Sequence, residues 1–139
     1  MNETSPITSQ VTYLGDLRCS SKHLKSGTVF HTDAPTDNNG KGEAFSPTDT
    51  VATGLASCMM TVMGIKAKEL DLDLSGSTAA VTKTMSSEPR RISQIDIELS
   101  MTGNCDKRNQ LILERVAHTC PVIKSLHPDI QKNITFIWS

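Results

Sequence analysis

The side chains with the most chemistry to offer are two cysteines, Cys58 and Cys120, which lie 62 positions apart in a chain of 139 residues. Cys58 falls on the apolar stripe of what reads as a long helix, and Cys120 stands directly before Pro121, a residue suited to open a new helical turn. A sulfur at such a turn meets backbone N–H groups that favour the thiolate. A thiol in a dry pocket that meets a second thiol on another helix can reduce a peroxide. The first sulfur attacks the O–O bond and becomes a sulfenic acid, and the second condenses with it to a disulfide. Each cysteine also has a plain structural reading: Cys58 as core filler, because free cysteine is among the most buried residue types, and Cys120 as a Cys-Pro helix break. Cys19, in a hairpin turn, and Cys105, just before a helix cap, have polar surroundings and read as incidental. A zinc site from Cys58, His118 and Cys120 lacks the paired C-x₂₋₄-C spacing of structural sites, so no metal and no cofactor is expected.

The helix that must position Cys58 has the clearest start in the chain. Ser46 is a capping residue, Pro47 fits the first helical position, and Asp49 puts an acid in the first turn. Apolar residues recur at Val51, Leu55, Cys58, Val62 and Ile65, which predicts one buried face on a helix running from Pro47 to about Leu70. Gly54 and Gly64 weaken helix propensity and point to close packing against another element. Met59, Met60 and Met63 could line a small apolar pocket near Cys58, although methionines at helical spacing more often pack a core.

Upstream, alternation at Val11 and Tyr13 predicts a strand, Ser20 to Ser26 a polar break holding His23, and Thr28 to Thr32 a second strand paired with the first. Asp33 to Gly42 is a loop by its Asp, Asn, Gly and Pro content. Downstream, residues 77–86 and the strict alternation of Ile95, Ile97, Leu99 and Met101 are strands, the latter half-buried and antiparallel. Asp106 caps a helix through Leu113 and Ala117, a short turn follows from Pro121 to about Leu126, and Ile134, Phe136 and Trp138 alternate in a last strand. The order β-β-α-β-β-α-α-β defines an α+β fold in a single domain spanning residues 1–139.

With 14 Lys and Arg against 15 Asp and Glu, the net charge of −1 provides no drive toward nucleic acid or an acidic membrane surface. No run approaches the roughly 18 consecutive apolar residues of a membrane span, and the first ten residues lack the basic and apolar regions of a signal peptide. A cytoplasmic protein is expected. Hydrophobic residues at 37% and aromatics at 4% make a lean core, which favours burial of further apolar surface by self-association.

Three segments resemble the OsmC/Ohr group, the osmotically inducible and organic hydroperoxide resistance proteins. They are GDLRCSSKH around Arg18, the run DAPTDNNGKGEAFSPTDTVATGLASCMMTVMGIKA from Asp33 to Ala67, and HTCPV around Cys120. The resemblance implies an intertwined homodimer in which antiparallel sheets wrap around long central helices, with active sites at the subunit interface. It implies a peroxidatic role for Cys58, a resolving role for Cys120, an organic hydroperoxide as substrate and a lipoyl-type dithiol as reductant. It also implies an Arg beside the thiolate, here Arg18, held by a Glu immediately after the helix Pro. That position is Thr48 in this chain, so Asp49, Glu43 or a group from a second subunit would have to hold Arg18. The alternative function is a stress-associated dimer of this group that binds a small apolar ligand at its interface with little peroxidase activity.

Overall fold

The computed structural model describes residues 6–139, so the opening residues of the polar N-terminal segment lie outside the described part. It divides into two compact units, one ending at Thr50 and the other spanning Val51–Ser139.

The first unit is a three-stranded antiparallel meander, β1 (Ser9–Gly15), β2 (Arg18–His23) and β3 (Val29–Asp33), in the order β1-β2-β3. The expected two-stranded hairpin is therefore corrected. The stretch expected as a polar break supplies the central strand, Cys19 lies within it rather than in a turn, and β3 pairs with β2 instead of β1. Asp16 and Leu17, both at positive φ, make the tight turn that sends the chain back into β2. After β3 come a single 3₁₀ turn at Thr36–Asn38 and a loop that folds back sharply: a Cβ at Gly40 would collide with the backbone carbonyl of Ala34. Among the described residues of this unit the buried ones are Thr32, Asp33 and Ser46, none of them apolar. Val11, Tyr13, Phe30 and Phe45 are all more than half or about half exposed in the single chain.

Helix α1 runs Pro47–Glu69, as the sequence predicts. A capping box starts it: the Ser46 hydroxyl accepts from the Asp49 N–H at 3.0 Å, and the Asp49 carboxylate accepts from the Ser46 N–H at 3.0 Å. By length and composition α1 could cross a bilayer, but in this fold it serves the core of the second unit. The buried face differs from the expected one. It consists of Ala52, Leu55, Ala56, Met59, Met63 and Ala67, while Val51 and Ile65 are exposed and Cys58 and Val62 are half-buried. Nor do Gly54 and Gly64 pack closely within the chain, since an added Cβ at either meets nothing within 4 Å.

The second sheet has the order β4-β5-β6, with β4 at Thr78–Ser86, β5 at Arg91–Met101 and β6 at Gln131–Trp138. The alternation read from β5 holds: Ile95, Ile97, Leu99 and Met101 are buried, while the residues between them face away. β4 joins β5 antiparallel, but β6 joins it in parallel, contrary to an all-antiparallel arrangement. A parallel neighbour requires a long crossover. Here it is made by α2 (Lys107–Ala117), capped by Asp106 through the Asn109 N–H at 2.8 Å, and the short α3 (Pro121–Ser125). One cluster then unites α1, the inner face of the sheet, and Leu113 and Ala117 of α2. Each Leu, Ile or Met buried in it contributes about 1.5–3 kcal/mol relative to an exposed position.

Candidate functional site

The two cysteines singled out by their contexts are brought together. Cys58 projects from the middle of α1 on a half-buried face, and Cys120 is the capping residue of α3, fully buried. Cys58 packs against the apolar cluster that contains Cys120 and acts electrostatically on its thiol, and both are free thiols. Pro121 explains the placement of Cys120: it cannot continue α2 and suits the first position of α3, so Cys120 takes an extended conformation between the helices. The Cys120 sulfur accepts from the Ile123 N–H at 3.4 Å. Burial pushes the Cys120 thiol up from its ordinary pKa, the Ile123 and Val122 N–H groups pull it down, and the adjacent Cys58 thiol raises it further. Cys120 is thus the wholly buried member of the pair, and Cys58 is the half-buried one. His118 caps the end of α2 and meets the edge of the Phe136 ring, with centroids 6.1 Å apart. Among the described residues no His, Cys, Asp and Glu group of three or more is arranged to hold a metal ion.

Cys19 lies in β2 and Cys105 just before the Asp106 cap. Met59 and Met63 are core residues. Met60 instead lines a shallow cleft of about 600 Å³ between α1 and β4, together with Ala56, Ser57, Ala79 and Val81.

In the first unit a second polar constellation forms around Arg18. Strand register sets Arg18 directly opposite Asp33, and the guanidinium grips that carboxylate at two points, Nε to Oδ1 at 2.7 Å and Nη2 to Oδ2 at 2.9 Å. Nη2 also donates to Glu43 Oε1 at 2.9 Å, and the Glu43 N–H donates to Asp33 Oδ2 at 3.1 Å. Asp33 is 1% exposed, and the Arg18 hydrogen bonds hold its carboxyl below the usual carboxylate range despite that burial. The same bonds, to Asp33 first and Glu43 second, push the Arg18 pKa up, so the guanidinium is permanently charged.

Of the three residues expected to support Arg18, Glu43 is bonded to it. Asp49 is engaged in the capping box, and the Thr48 hydroxyl contacts that of Ser46 at 3.2 Å, so both belong to the helix start. Asp33 was missed. The signal that could have found it is an Asp at the end of a strand preceding Ala-Pro, within reach of an Arg once both are recognised as strand partners.

Comparison with known proteins bears on family and fold. The family model for OsmC-like proteins matches residues 40–135. A crystal structure from Psychrobacter arcticus 273-4, provisionally described as an osmotic stress induced and detoxification response protein, is 50% identical over 98% of this chain and 99% of its own, with a TM-score of 0.93. An organic hydroperoxide resistance protein from Elizabethkingia anophelis is 15% identical over the whole of both chains, with a TM-score of 0.75. Another from Legionella pneumophila is 15% identical over 96% of this chain and 99% of its own, with a TM-score of 0.70. At that identity the last two establish the fold alone. No curated protein matches the chain.

Proposed function

This chain belongs to the OsmC-like family, and from that premise we propose that it is a thiol-dependent peroxidase that reduces organic hydroperoxides, and hydrogen peroxide more weakly. The observation that carries the reading is the meeting, in one apolar cluster, of the half-buried Cys58 thiol of α1 and the wholly buried Cys120 thiol at the start of α3. Relatives of the same fold described as organic hydroperoxide resistance proteins support the substrate class.

In the proposed cycle the Cys58 thiolate attacks the distal peroxide oxygen, the O–O bond breaks, and the alkoxide takes a proton and leaves as the alcohol. Cys58 is now a sulfenic acid. The Cys120 sulfur displaces its hydroxyl as water, forming a Cys58–Cys120 disulfide. An external dithiol of lipoyl type reduces this disulfide to the two thiols and is itself oxidised to a cyclic disulfide. The family resemblance gives Arg18 the role of a fixed positive charge that stabilises the thiolate and the developing alkoxide. The burial of Cys120 suits the resolving role, because a thiol shielded from solvent does not compete for peroxide.

We propose in addition that the working form is a homodimer. The exposed Val11, Tyr13 and Phe30 of the first sheet, and the Val51–Gly54–Ile65 side of α1, are the surfaces a second copy would cover. A second functional reading, a dimer that binds a small apolar ligand with little turnover, is favoured by the cleft beside Met60.

The deciding experiment is consumption of cumene hydroperoxide and of hydrogen peroxide, with dihydrolipoamide or a monothiol as reductant. The expected result is rapid organic-peroxide turnover supported by the dithiol alone, abolished in Cys58→Ser with the fold intact. In Cys120→Ser a single turnover should stall at sulfenic acid or proceed to overoxidation. Absence of turnover with either reductant, or full activity in Cys58→Ser, would remove the peroxidase reading in favour of ligand binding.

A further inference from the structure

We infer that Asp33 is the residue that positions Arg18 in this chain, taking the part that the family resemblance assigns to a Glu at the helix position occupied here by Thr48. The inference rests on the peroxidase reading and adds to it the group that aims its cationic residue. Three observations lead to it. Strand pairing places Asp33 opposite Arg18, so the contact is built into the sheet rather than left to a flexible loop. The carboxylate is buried and binds the guanidinium through both oxygens, at 2.7 and 2.9 Å, a planar two-point geometry that fixes orientation as well as distance. The carboxylate of the helix start, Asp49, takes part in the capping box, accepting from the Ser46 N–H.

Glu43 completes the clamp from the solvent side. Its carboxylate takes the second N–H of Nη2, and its own backbone N–H donates to Asp33. Together these bonds engage Nε and Nη2 and leave both N–H groups of Nη1 outside the clamp. Arg18 is thus anchored along one edge of the guanidinium and offers the other end as a pair of charged donors. A lysine at this position could match the charge but not the two-point anchorage. Asp33 is therefore a positioning residue acting through Arg18. Its substitution should alter peroxide reduction only as far as Arg18 is there to be misaimed.

The test is a double-mutant cycle on kcat/KM for cumene hydroperoxide with dihydrolipoamide, using Asp33→Asn, Arg18→Lys and the double variant, with folding followed by circular dichroism. Asp33→Asn should lower kcat/KM about tenfold or more by loosening a charge that stabilises the transition state. The same substitution should have little further effect in the Arg18→Lys background. A purely structural role for Asp33 would produce the same loss in both backgrounds, and that result would overturn the inference. So would wild-type activity in a folded Asp33→Asn protein. Where Asp33→Asn fails to fold, Glu43→Gln, at an exposed carboxylate, replaces it in the cycle: coupling to Arg18 supports the clamp and additivity overturns it. Turnover that is abolished in Cys58→Ser but indifferent to Asp33→Asn and Glu43→Gln defeats this inference alone. Absence of turnover in the wild type defeats the peroxidase reading and the inference with it.

Discussion

The two units of this chain are held together by different physics. From Val51 onward, a contiguous apolar cluster joins helix α1, the inner face of a sheet and a helical crossover, with Leu55, Met59, Ile95, Leu99 and Leu113 wholly removed from water. Among the described residues up to Thr50, the buried ones are Thr32, Asp33 and Ser46, and large apolar side chains such as Val11, Tyr13 and Phe30 are exposed in the single chain. The first unit has a polar knot where the second has a core. Hydrophobic burial is non-directional and tolerates approximate placement, whereas a buried ion pair contributes only when its geometry is right. A region organised by the latter is suited to holding a guanidinium in one orientation. A region organised by the former is suited to excluding water from a thiol.

The contrast can be broken most directly in the core. Ile97→Ala should cost about 2–5 kcal/mol in urea unfolding, because it removes a wholly buried side chain and leaves a cavity. A loss below about 1 kcal/mol would mean that the second unit is not packed as described. The corresponding weak point of the first unit is steric. Gly40→Ala places a methyl group against the Ala34 carbonyl and should unfold the return of the loop, at about 1–3 kcal/mol, and detach Glu43 from Arg18. Unchanged stability, with Glu43 still paired to Arg18 by NMR, would contradict that role for the glycine.

The smallest effects are those of pH, and they have opposite signs in the two units. The Asp33 carboxyl is held below its ordinary value by Arg18. Its contribution is present above the usual carboxylate value of about 3.9 and is lost as pH falls through the depressed one. The Cys120 thiol is raised by burial. Its contribution is intact below the usual thiol value of about 8.5 and declines as pH rises toward the raised one. Acid should therefore weaken the first unit and base the second. Asp33→Asn should flatten only the acid limb of a stability–pH profile, and Cys120→Ser only the alkaline limb. Crossed effects would show that the two units do not respond separately.

Much of the second unit was legible in the sequence because each of its elements repeats a simple period. The alternation from Ile95 to Met101, the Asp106 cap, the Pro121 break and the Ser46–Asp49 helix start are local signals, and the fold uses each as read. What was not legible depends on partners distant in sequence. Strand β2, with the residues RCSSKH, has no apolar alternation because backbone pairing on both sides holds it in place. Missing that strand also hid Asp33, whose contact with Arg18 exists only through the β2–β3 register. The α1 face was misjudged because apolar residues lie on more than one side of the helix, and periodicity alone cannot say which side the sheet covers. The parallel seating of β6 is a matter of topology, on which its alternating residues are silent. At the candidate site, Cys58 and Cys120 pack in one apolar cluster, a neighbourhood that their separation of 62 positions neither supports nor forbids.

The chain contains one tryptophan and one tyrosine. Trp138, at the end of β6, donates its indole N–H to Glu114 of α2 at 2.8 Å, while Tyr13 lies exposed on β1. Each unit therefore carries its own intrinsic chromophore. Indole emission reports the loosening of the crossover that presents Cys120, and phenol absorbance reports the environment of the N-terminal sheet. An unfolding curve recorded at both wavelengths would resolve the two units spectroscopically without a label.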